Sequence, residues 1–482
     1  MSDTLMVSVS GVRGLVGTDL TPEVVARWAA AFGTWAKVGR SDGRTARRAA
    51  SIVIGRDART SGPMFAGAAT AGLQSVGCDV IDVGLVATPT VQLAVEHHRA
   101  AGGIILTASH NPIEWNALKF VGPDGTFLDT AAGTRVRDLA AADALPRAGF
   151  KGIGGVQADS EAIDRHLAAV LALRGVDVRA IRRRRFRVAL DTVRGAGGAV
   201  MPELLERLGC RVAAINLETD GLFPRPPEPV PENLKALGAL VRRKTADIGI
   251  AVDPDVDRLA IVDQRGNPIG EDYTLAFAIR AVLGGSADRR IGGSKRRSGH
   301  PTIRRSVIVC NLSTSLVVED AAREFGATVV RAPVGEAHVA RKIIELKAVI
   351  GGEGNGGVMY PALHVGRDAP VAAALVLSLL TRERVTVSDL VARAPRYTIV
   401  KAKVERGIRT AERMGEVYAA LRARFPEASA DLQDGLRLAW PDRWLHVRPS
   451  GTEPIIRLIA EAPTGADADR LIAEGRRLCA AS

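Results

Sequence analysis

Aromatic residues are scarce in this chain: five Trp, four Tyr and ten Phe in 482 residues. That leaves few stacking platforms for bases, so no aromatic interleaving supports nucleic-acid binding by its basic runs. Cysteine is scarcer still. Cys78, Cys210, Cys310 and Cys479 stand far apart without paired metal-ligand spacing, which reads as reduced, mostly buried thiols and a cytoplasmic setting. Long apolar runs are missing. The longest, near Val371 to Leu380, is too short to span a bilayer, so no membrane partner is expected. Met1-Ser2-Asp3-Thr4 opens no basic segment followed by an apolar one, so no signal peptide is expected.

Acids are outnumbered, 53 Asp and Glu against 65 Lys and Arg, giving a net charge of +12. Half of that excess sits between Gly285 and Ser306, where Arg289, Arg290, Lys295, Arg296, Arg297, Arg304 and Arg305 face one acid, Asp288. The segment reads as an inserted Gly/Ser/Arg-rich loop. Arg182-Arg183-Arg184-Arg185 is a second run. Such runs can bind nucleic acid, but solvated loops are the plainer reading. A positive surface also attracts small phosphorylated substrates.

What is present is a repeated α/β pattern. The length suggests three or four domains at roughly 100–200 residues each. Helices are expected near Pro22 to Lys37, Pro63 to Val76 and Thr88 to His98, with strands at Ser51 to Ile54 and Gly77 to Ile81. Strand Phe186 to Asp191 is followed by a helix to Leu208 and a strand from Gly209. Strand Val307 to Asn311 is followed by a helix from about Ser313 to Phe325 and a strand from Gly326. Three times the order is strand, polar turn, helix, glycine, strand, with joints at Val76-Gly77-Cys78, Leu208-Gly209-Cys210 and Phe325-Gly326-Ala327. Alternating strands and helices predict βαβ units and mainly parallel sheets. From Tyr397 the pattern changes to a strand, a helix near Ala411 to Arg424, consecutive strands and a terminal helix, which predicts a smaller α+β domain.

Chemistry-bearing segments punctuate this pattern. Gly103-Ile104-Ile105-Leu106 reads as a buried strand, and Thr107-Ala108-Ser109-His110-Asn111-Pro112 follows it. Ligands bind at such sheet rims in open α/β folds, so Ser109 is either a hydroxyl placed for chemistry or an ordinary loop serine beside His110. Ser10-Gly11-Val12-Arg13-Gly14 could present an arginine to a phosphate, or be a tight turn. Asp253-Pro254-Asp255-Val256-Asp257-Arg258 puts three carboxylates at alternating positions between two apolar strands. Their mutual repulsion is relieved by a hard cation such as Mg²⁺; the alternative is a solvated acidic turn. In Gly351-Gly352-Glu353-Gly354-Asn355-Gly356-Gly357, Glu353 and Asn355 could hydrogen-bond adjacent sugar hydroxyls from a bare backbone, or the loop is merely flexible. Arg448-Pro449-Ser450-Gly451-Thr452-Glu453-Pro454, with Arg457, combines guanidinium, hydroxyl and backbone donors suited to a phosphate dianion.

With these segments in this order, the chain resembles the α-D-phosphohexomutase family (phosphoglucomutase, phosphomannomutase, phosphoglucosamine mutase) over essentially its whole length. Thr107–Pro112 matches the family's phosphoserine loop, Asp253–Arg258 its magnesium loop, Gly352–Gly356 its sugar loop and Arg448–Pro454 its phosphate loop. The resemblance implies three related α/β domains with mixed, mainly parallel sheets and a C-terminal α+β domain around a central cleft. The expected bounds are 1–154, 155–265, 266–392 and 393–482. It implies that Ser109 carries a phosphoryl group and, with Asp253, Asp255 and Asp257, holds Mg²⁺. Arg13, His110, Lys119 and Arg258 join Ser109 as catalytic candidates, Lys119 as general acid/base. Glu353, Asn355, Arg448, Ser450, Gly451, Thr452 and Arg457 bind substrate. The implied reaction moves a phosphoryl group between the 1- and 6-positions of a hexose phosphate through a hexose 1,6-bisphosphate, in a monomer or homodimer, with a hinge near Arg393 to Pro395. A phosphatase, or a nucleic-acid binder on an inert mutase scaffold, is the rival reading.

Two departures bear on substrate. Pro254 and Val256 stand where the family's metal loop usually has glycines, yet the carboxylates remain, so metal binding is expected to survive. Glu353-Gly354-Asn355-Gly356 is neither the Glu-Met-Ser-Gly type of glucose/mannose-specific members nor the Glu-Gln-Ser-Gly type of glucosamine-specific bacterial ones. The context Gly351 to Arg367, with Phe32-Gly33-Thr34-Trp35, looks most like a branch assigned as phosphoglucosamine mutase. The expected substrate is therefore glucosamine 6-phosphate, with dual phosphoglucomutase/phosphomannomutase specificity as the alternative.

Overall fold

The computed structural model describes residues 5–8, 11–38, 50–142, 145–291, 306–405, 411–450 and 455–481, apart from the side chains of 286–291, 411–412 and 480–481. The first sheet is built from β1 (Met6–Ser8), β2 (Gly11–Leu15), β3 (Ser51–Arg56), β4 (Asp79–Leu85), β5 (Gly102–Leu106), β6 (Trp115–Val121) and β7 (Val156–Ala158). Its order is β1-β2-β6-β5-β3-β4-β7, with β5, β3, β4 and β7 parallel and the other pairs antiparallel. Helices α1 (Pro22–Val38), α2 (Gly62–Ser75) and α4 (Thr130–Ala141) cover one face, and α3 (Thr88–His98) the other. The few aromatics concentrate here: Phe32 stacks on Phe120 at 4.9 Å and on Trp35 at 5.5 Å. Such pairs anchor a core beyond their area alone.

The second sheet, in the order β11-β10-β8-β9, uses β8 (Arg187–Asp191), β9 (Arg211–Ile215), β10 (Ile248–Val252) and β11 (Leu259–Val262). Its helices are α5 (Ala162–Leu171), α6 (Val178–Arg184), α7 (Gly197–Arg207) and α8 (Lys235–Lys244). The third, ordered β13-β12-β14-β15, uses β12 (Val307–Asn311), β13 (Thr328–Ala332), β14 (Ile350–Glu353) and β15 (Gly357–Met359). It is packed by α9 (Asp272–Ile291), α10 (Val317–Arg323), α11 (Glu336–Leu346), α12 (Ala369–Glu383) and α13 (Val387–Ala392). In both sheets only the last-entered strand is antiparallel. The second and third sheets share one continuous apolar core. The apolar run at Val371 to Leu380 lies in α12, buried on every side, which is why it shows no amphipathic stripe. No helix among the described residues is long and apolar enough to cross a membrane.

The last sheet is wholly antiparallel, in the order β16-β20-β19-β18-β17: β16 (Thr398–Glu405), β17 (Ser429–Asp431), β18 (Leu436–Ala439), β19 (Trp444–Pro449) and β20 (Ile455–Ala462). Helices α14 (Ala411–Arg424) and α15 (Gly465–Ala481) complete it. This is the predicted α/β architecture with its α+β ending.

Two sequence expectations need correction. The helix anticipated from Ser313 begins only at Val317. Its leading residues are diverted into side-chain bonds: Asn311 Oδ1 accepts from the Ser313 N–H (2.9 Å) and the Thr314 hydroxyl (3.0 Å), and Asp272 Oδ1 accepts from the Ser315 N–H (2.8 Å). Short polar side chains offer the backbone this alternative to helix. The anticipated loop from Gly285 is instead the end of α9 as far as Ile291. Alanine and arginine there have high helix propensity. Residues 292–305, the remainder of that basic segment, lie outside the described residues.

Candidate active site

The Ser109 loop is shaped by one buried arginine. Arg59, fully buried, donates from Nη2 to the carbonyls of Ser109 and Asn111 (both 2.7 Å) and from Nη1 to those of Pro112 (2.7 Å) and Trp115 (2.8 Å). Its Nε donates to Asp57 Oδ2 at 3.2 Å, and the Thr107 hydroxyl donates to the same oxygen at 2.6 Å. A planar, five-donor fork satisfies several carbonyls of a tight loop at once. Burial pushes the Asp57 carboxyl up, against the pull of Arg59. Ser109 itself has φ +49°. That left-handed conformation is uncommon for a non-glycine residue and clusters at functional sites. It aims the hydroxyl out of the loop to donate to Asp253 Oδ2 at 3.0 Å.

Asp253 opens the loop between β10 and β11. Asp253, Asp255 and Asp257 are fully buried, and one carboxylate oxygen from each lies within 4.8 Å of the others. Val256, with φ +61°, turns the chain between the last two carboxylates and anchors its side chain in the core. The loop therefore converges with proline and valine, and no glycine, between its carboxylates. Burial and the charges of Asp257 and Asp255 push Asp253 well above the ordinary carboxylate range. Burial also acts to raise Asp255, but Lys119 outweighs it: Nζ donates to Asp255 Oδ2 at 2.8 Å, and the Thr88 hydroxyl donates there at 2.9 Å. Asp255 Oδ1 and Asp257 Oδ1 are buried without a hydrogen-bond partner. Orphaned hard oxygens in an all-carboxylate pocket fit a divalent cation of the Mg²⁺ kind.

Basic groups ring this cluster. Arg258 Nη1 donates to Glu228 Oε1 at 3.2 Å, and its Nε lies 3.9 Å from Asp253 and 3.8 Å from Asp257. Arg13 Nη1 donates to Asn111 Oδ1 at 2.6 Å, which brings it onto the Ser109 loop. His110 Nδ1 lies 3.4 Å from Ser109 Oγ. The Arg258 charge, then burial, then Arg13 hold its imidazole well below the usual histidine range.

The sugar-loop candidates are the last residue of β14, Glu353, and Asn355 just past it. Glu353 Oε1 accepts from Asn311 Nδ2 (2.8 Å) and the Gly335 N–H (3.1 Å), and Asn355 Nδ2 donates to Glu353 Oε2 at 3.4 Å. Burial acts to raise Glu353, but Arg367 and the Asn311 bond hold it below its ordinary value. Asp272, the first residue of α9, packs against this loop and lines the same cleft. A Cβ on Gly354 would stand 2.3 Å from Asp272 Oδ1, so the carboxyl can occupy this place only because residue 354 is glycine.

At the far end, Arg448 on β19 and Arg457 on β20 are register partners. Arg448 Nη1 lies 3.4 Å from Asp434 Oδ2, an oxygen that also accepts from the Val334 N–H at 3.1 Å. His446 Nε2 donates to the Asp434 carbonyl at 2.7 Å, leaving Nδ1 to accept from the Ser313 hydroxyl at 2.8 Å. Burial lowers His446 to about 4, so it is neutral in this bridge between the last two sheets. Ser450 is buried beside them. Gly451 and Thr452 lie outside the described residues.

Arg13, Ser109, His110, Lys119, Arg258, Glu353, Asn355, Arg448 and Arg457 all line one cleft of about 670 Å³. Residues more than 400 positions apart thus meet around a single cleft. Asp57, Arg59, Glu228, Asp272, Asn311, Glu336 and Arg367 were not anticipated. Of these, only Asp57-Ala58-Arg59, directly after a strand end, carried a readable hint.

Four successive family descriptions match this chain: phosphoglucomutase/phosphomannomutase domains I (5–146), II (164–266) and III (293–397), each α/β/α, and the C-terminal domain (399–478). The chain is 37% identical to a phosphoglucomutase/phosphomannomutase of Thermococcus kodakarensis, over 97% of each sequence. It is 31% identical to a phosphoglucosamine/phosphogalactosamine mutase of Sulfurisphaera tokodaii, again over 97% of each. Its fold superposes on a phosphoglucomutase/phosphomannomutase family protein of Burkholderia thailandensis with TM-score 0.82, at 25% identity, covering 99% of this chain and 98% of the other. The chain belongs to the phosphoglucomutase/phosphomannomutase family, a family of phosphohexomutase enzymes.

Proposed function

We propose that this enzyme interconverts glucosamine 6-phosphate and glucosamine 1-phosphate, with Ser109 as the phosphoryl shuttle. The observation that carries the reading is the Ser109 hydroxyl 3.0 Å from Asp253, at the mouth of the buried aspartate triad. The P–O bond to Ser109 Oγ breaks as the free hydroxyl of the sugar phosphate forms a new one, giving the 1,6-bisphosphate. The attacking hydroxyl loses a proton and Ser109 Oγ regains one, a transfer that Lys119 can relay. The second half repeats this with the other phosphate, restoring phosphoserine. Asp253, Asp255, Asp257 and the seryl phosphate would hold Mg²⁺, which supplies charge neutralisation for the moving phosphoryl group. Arg13 and Arg258 add fixed positive charge beside it. Glu353 and Asn355 read sugar hydroxyls, while Arg448, Ser450, Thr452 and Arg457 grip the phosphate that is not reacting.

The amino sugar is favoured by Asp272. Burial pushes its carboxyl up to about 8 within the cleft wall. An ammonium group beside it would restore its charge, whereas a hydroxyl would not. The Sulfurisphaera relative is described as acting on phosphorylated amino sugars and the Thermococcus relative as a phosphoglucomutase/phosphomannomutase, so dual glucose/mannose specificity is the alternative. Turnover of glucosamine 6-phosphate, glucose 1-phosphate and mannose 1-phosphate, primed by the matching bisphosphate, decides between them. Full mutase activity in Ser109→Ala would overturn the shuttle.

A further inference from the structure

We propose that Arg367 couples the metal loop to the sugar loop, so that a divalent cation at the aspartate triad and a sugar phosphate at Glu353 tighten each other's binding. The inference rests on reading Glu353 as a sugar contact. Each nitrogen of the Arg367 guanidinium donates to a different carboxylate: Nη2 to Asp257 Oδ2 at 2.5 Å, Nε to Glu336 Oε2 at 2.9 Å and Nη1 to Glu353 Oε2 at 3.0 Å. All three carboxylates are buried. One cation therefore serves three anions in a low-dielectric setting, where a change at one partner is felt strongly by the others.

The bridge cannot slide away as a unit. The Arg367 N–H donates to Glu336 Oε1 at 3.3 Å. Its neighbour Asp368 caps α12 through the Val371 N–H at 2.8 Å and accepts from His166 (2.8 Å) and His364 (2.9 Å). The backbone at 367 is thereby fixed, and only the distribution of the guanidinium among its partners is free. The stem reaches them by crossing Gly357, where a Cβ would stand 2.2 Å from Arg367 Cδ. Glycine at 357 is thus the passage through which the arginine enters the site.

The sign of the coupling follows from charge. A divalent cation at the triad draws on the charge of Asp257 and leaves more of the guanidinium's attraction to Glu353. Glu353 is already pinned through its other oxygen by Asn311 and Gly335, so a firmer hold on Oε2 orders it as an acceptor for sugar hydroxyls. Binding linkage is reciprocal, so the sugar phosphate tightens the metal by the same factor. Lysine keeps the charge but offers one nitrogen, which cannot reach three carboxylates in this geometry.

The test is calorimetric titration of Mg²⁺ into the wild type, Arg367→Lys and Gly357→Ala, each with and without an equilibrated glucosamine 1-/6-phosphate mixture. Gly357→Ala leaves the arginine in the chain and obstructs its path most closely, the added Cβ also standing 3.1 Å from Asn355 Oδ1. The expected result is Mg²⁺ affinity raised about fivefold or more by the sugar phosphate in the wild type, and by less than about twofold in both variants. Equal Mg²⁺ affinity with and without sugar phosphate in the wild type overturns the coupling, as does a shift of wild-type size in both variants. Absence of any sugar-phosphate binding overturns the coupling and the reading of Glu353 together. Binding without linkage overturns the coupling alone.

Discussion

Arg448 and Arg457 stand directly opposite each other on adjacent antiparallel strands, β19 and β20, at the cleft wall. Like charges in register destabilise a strand pair. Arg448 also keeps its Nε buried without a hydrogen-bond partner, and Asp434, the carboxylate beside it among the described residues, is shared with a backbone N–H. A phosphate dianion between the two guanidinium groups would relieve both costs, which is the physical case for a distal phosphate grip.

Replacing Arg448 by alanine should therefore raise KM roughly ten- to a hundredfold while leaving kcat within about threefold, because the grip acts on ground and transition states alike. Steady-state kinetics on the preferred hexose phosphate checks this. A fall in kcat with KM unchanged would place Arg448 in the chemistry instead.

Metal removal should weaken the protein as well as silence it. Without a cation, Asp255 Oδ1 and Asp257 Oδ1 stay buried without a hydrogen-bond partner, and burial with the charges of Asp257 and Asp255 pushes Asp253 up. At a hundredfold excess over Kd, Mg²⁺ should add about 2.7 kcal/mol of stability. Thermal melts with chelator and with restored Mg²⁺ measure the difference. Asp257→Asn should lose most of that response.

Asp272 gives a pH-dependent prediction that does not involve the metal loop. Its carboxyl is raised to about 8 by burial, with Glu271 and Glu461 adding to the rise and the Ser315 N–H and Lys401 opposing it. The folded state therefore holds this proton more tightly than the unfolded chain, where the pKa is about 4. Its stabilising contribution is complete below that value and is lost as pH climbs towards 8. Asn at 272 keeps the acceptor for the Ser315 N–H but does not titrate. The melting temperature of Asp272→Asn should thus gain on the wild type as pH rises through this window. The same variant should lose roughly tenfold of any preference for glucosamine over glucose phosphates. An equal loss on every sugar would make Asp272 a purely structural group.

Arg59 should be the costliest single replacement outside the reacting groups. Arg59→Ala strands the buried Asp57 carboxylate and frees the carbonyls of Ser109, Asn111, Pro112 and Trp115. Breaking a buried pair from one side costs about 3–5 kcal/mol. Denaturant unfolding checks the magnitude, and activity should fall with the loss of Ser109's φ +49° geometry.

The sheet-building segments were legible because their signals are local. Ile104 to Leu106, Ile248 to Val252 and Val307 to Asn311 are short apolar runs ending in polar turns, and they form strands where the pattern placed them. The α10 start was misplaced because Asn311 and Asp272 compete for its first N–H groups, and Asp272 is distant in sequence. Ser109, the three aspartates and Glu353 were visible as residue types in unusual loops. Asp272 and Arg367 were not, and Arg59 only by its place after a strand end, since a buried arginine or aspartate looks in sequence like any exposed one.

The sequence by itself determined the alternation of strands and helices, the order of the four loops and the kinds of group each could offer, because hydrophobic period and turn chemistry act over a few residues. Only the tertiary structure decided that Ser109 meets Asp253, that Lys119 meets Asp255 and that one arginine ties Asp257 to Glu353. Those relationships depend on how separate sheets dock, and the docking is set by packing across the whole core rather than by any local run of residues.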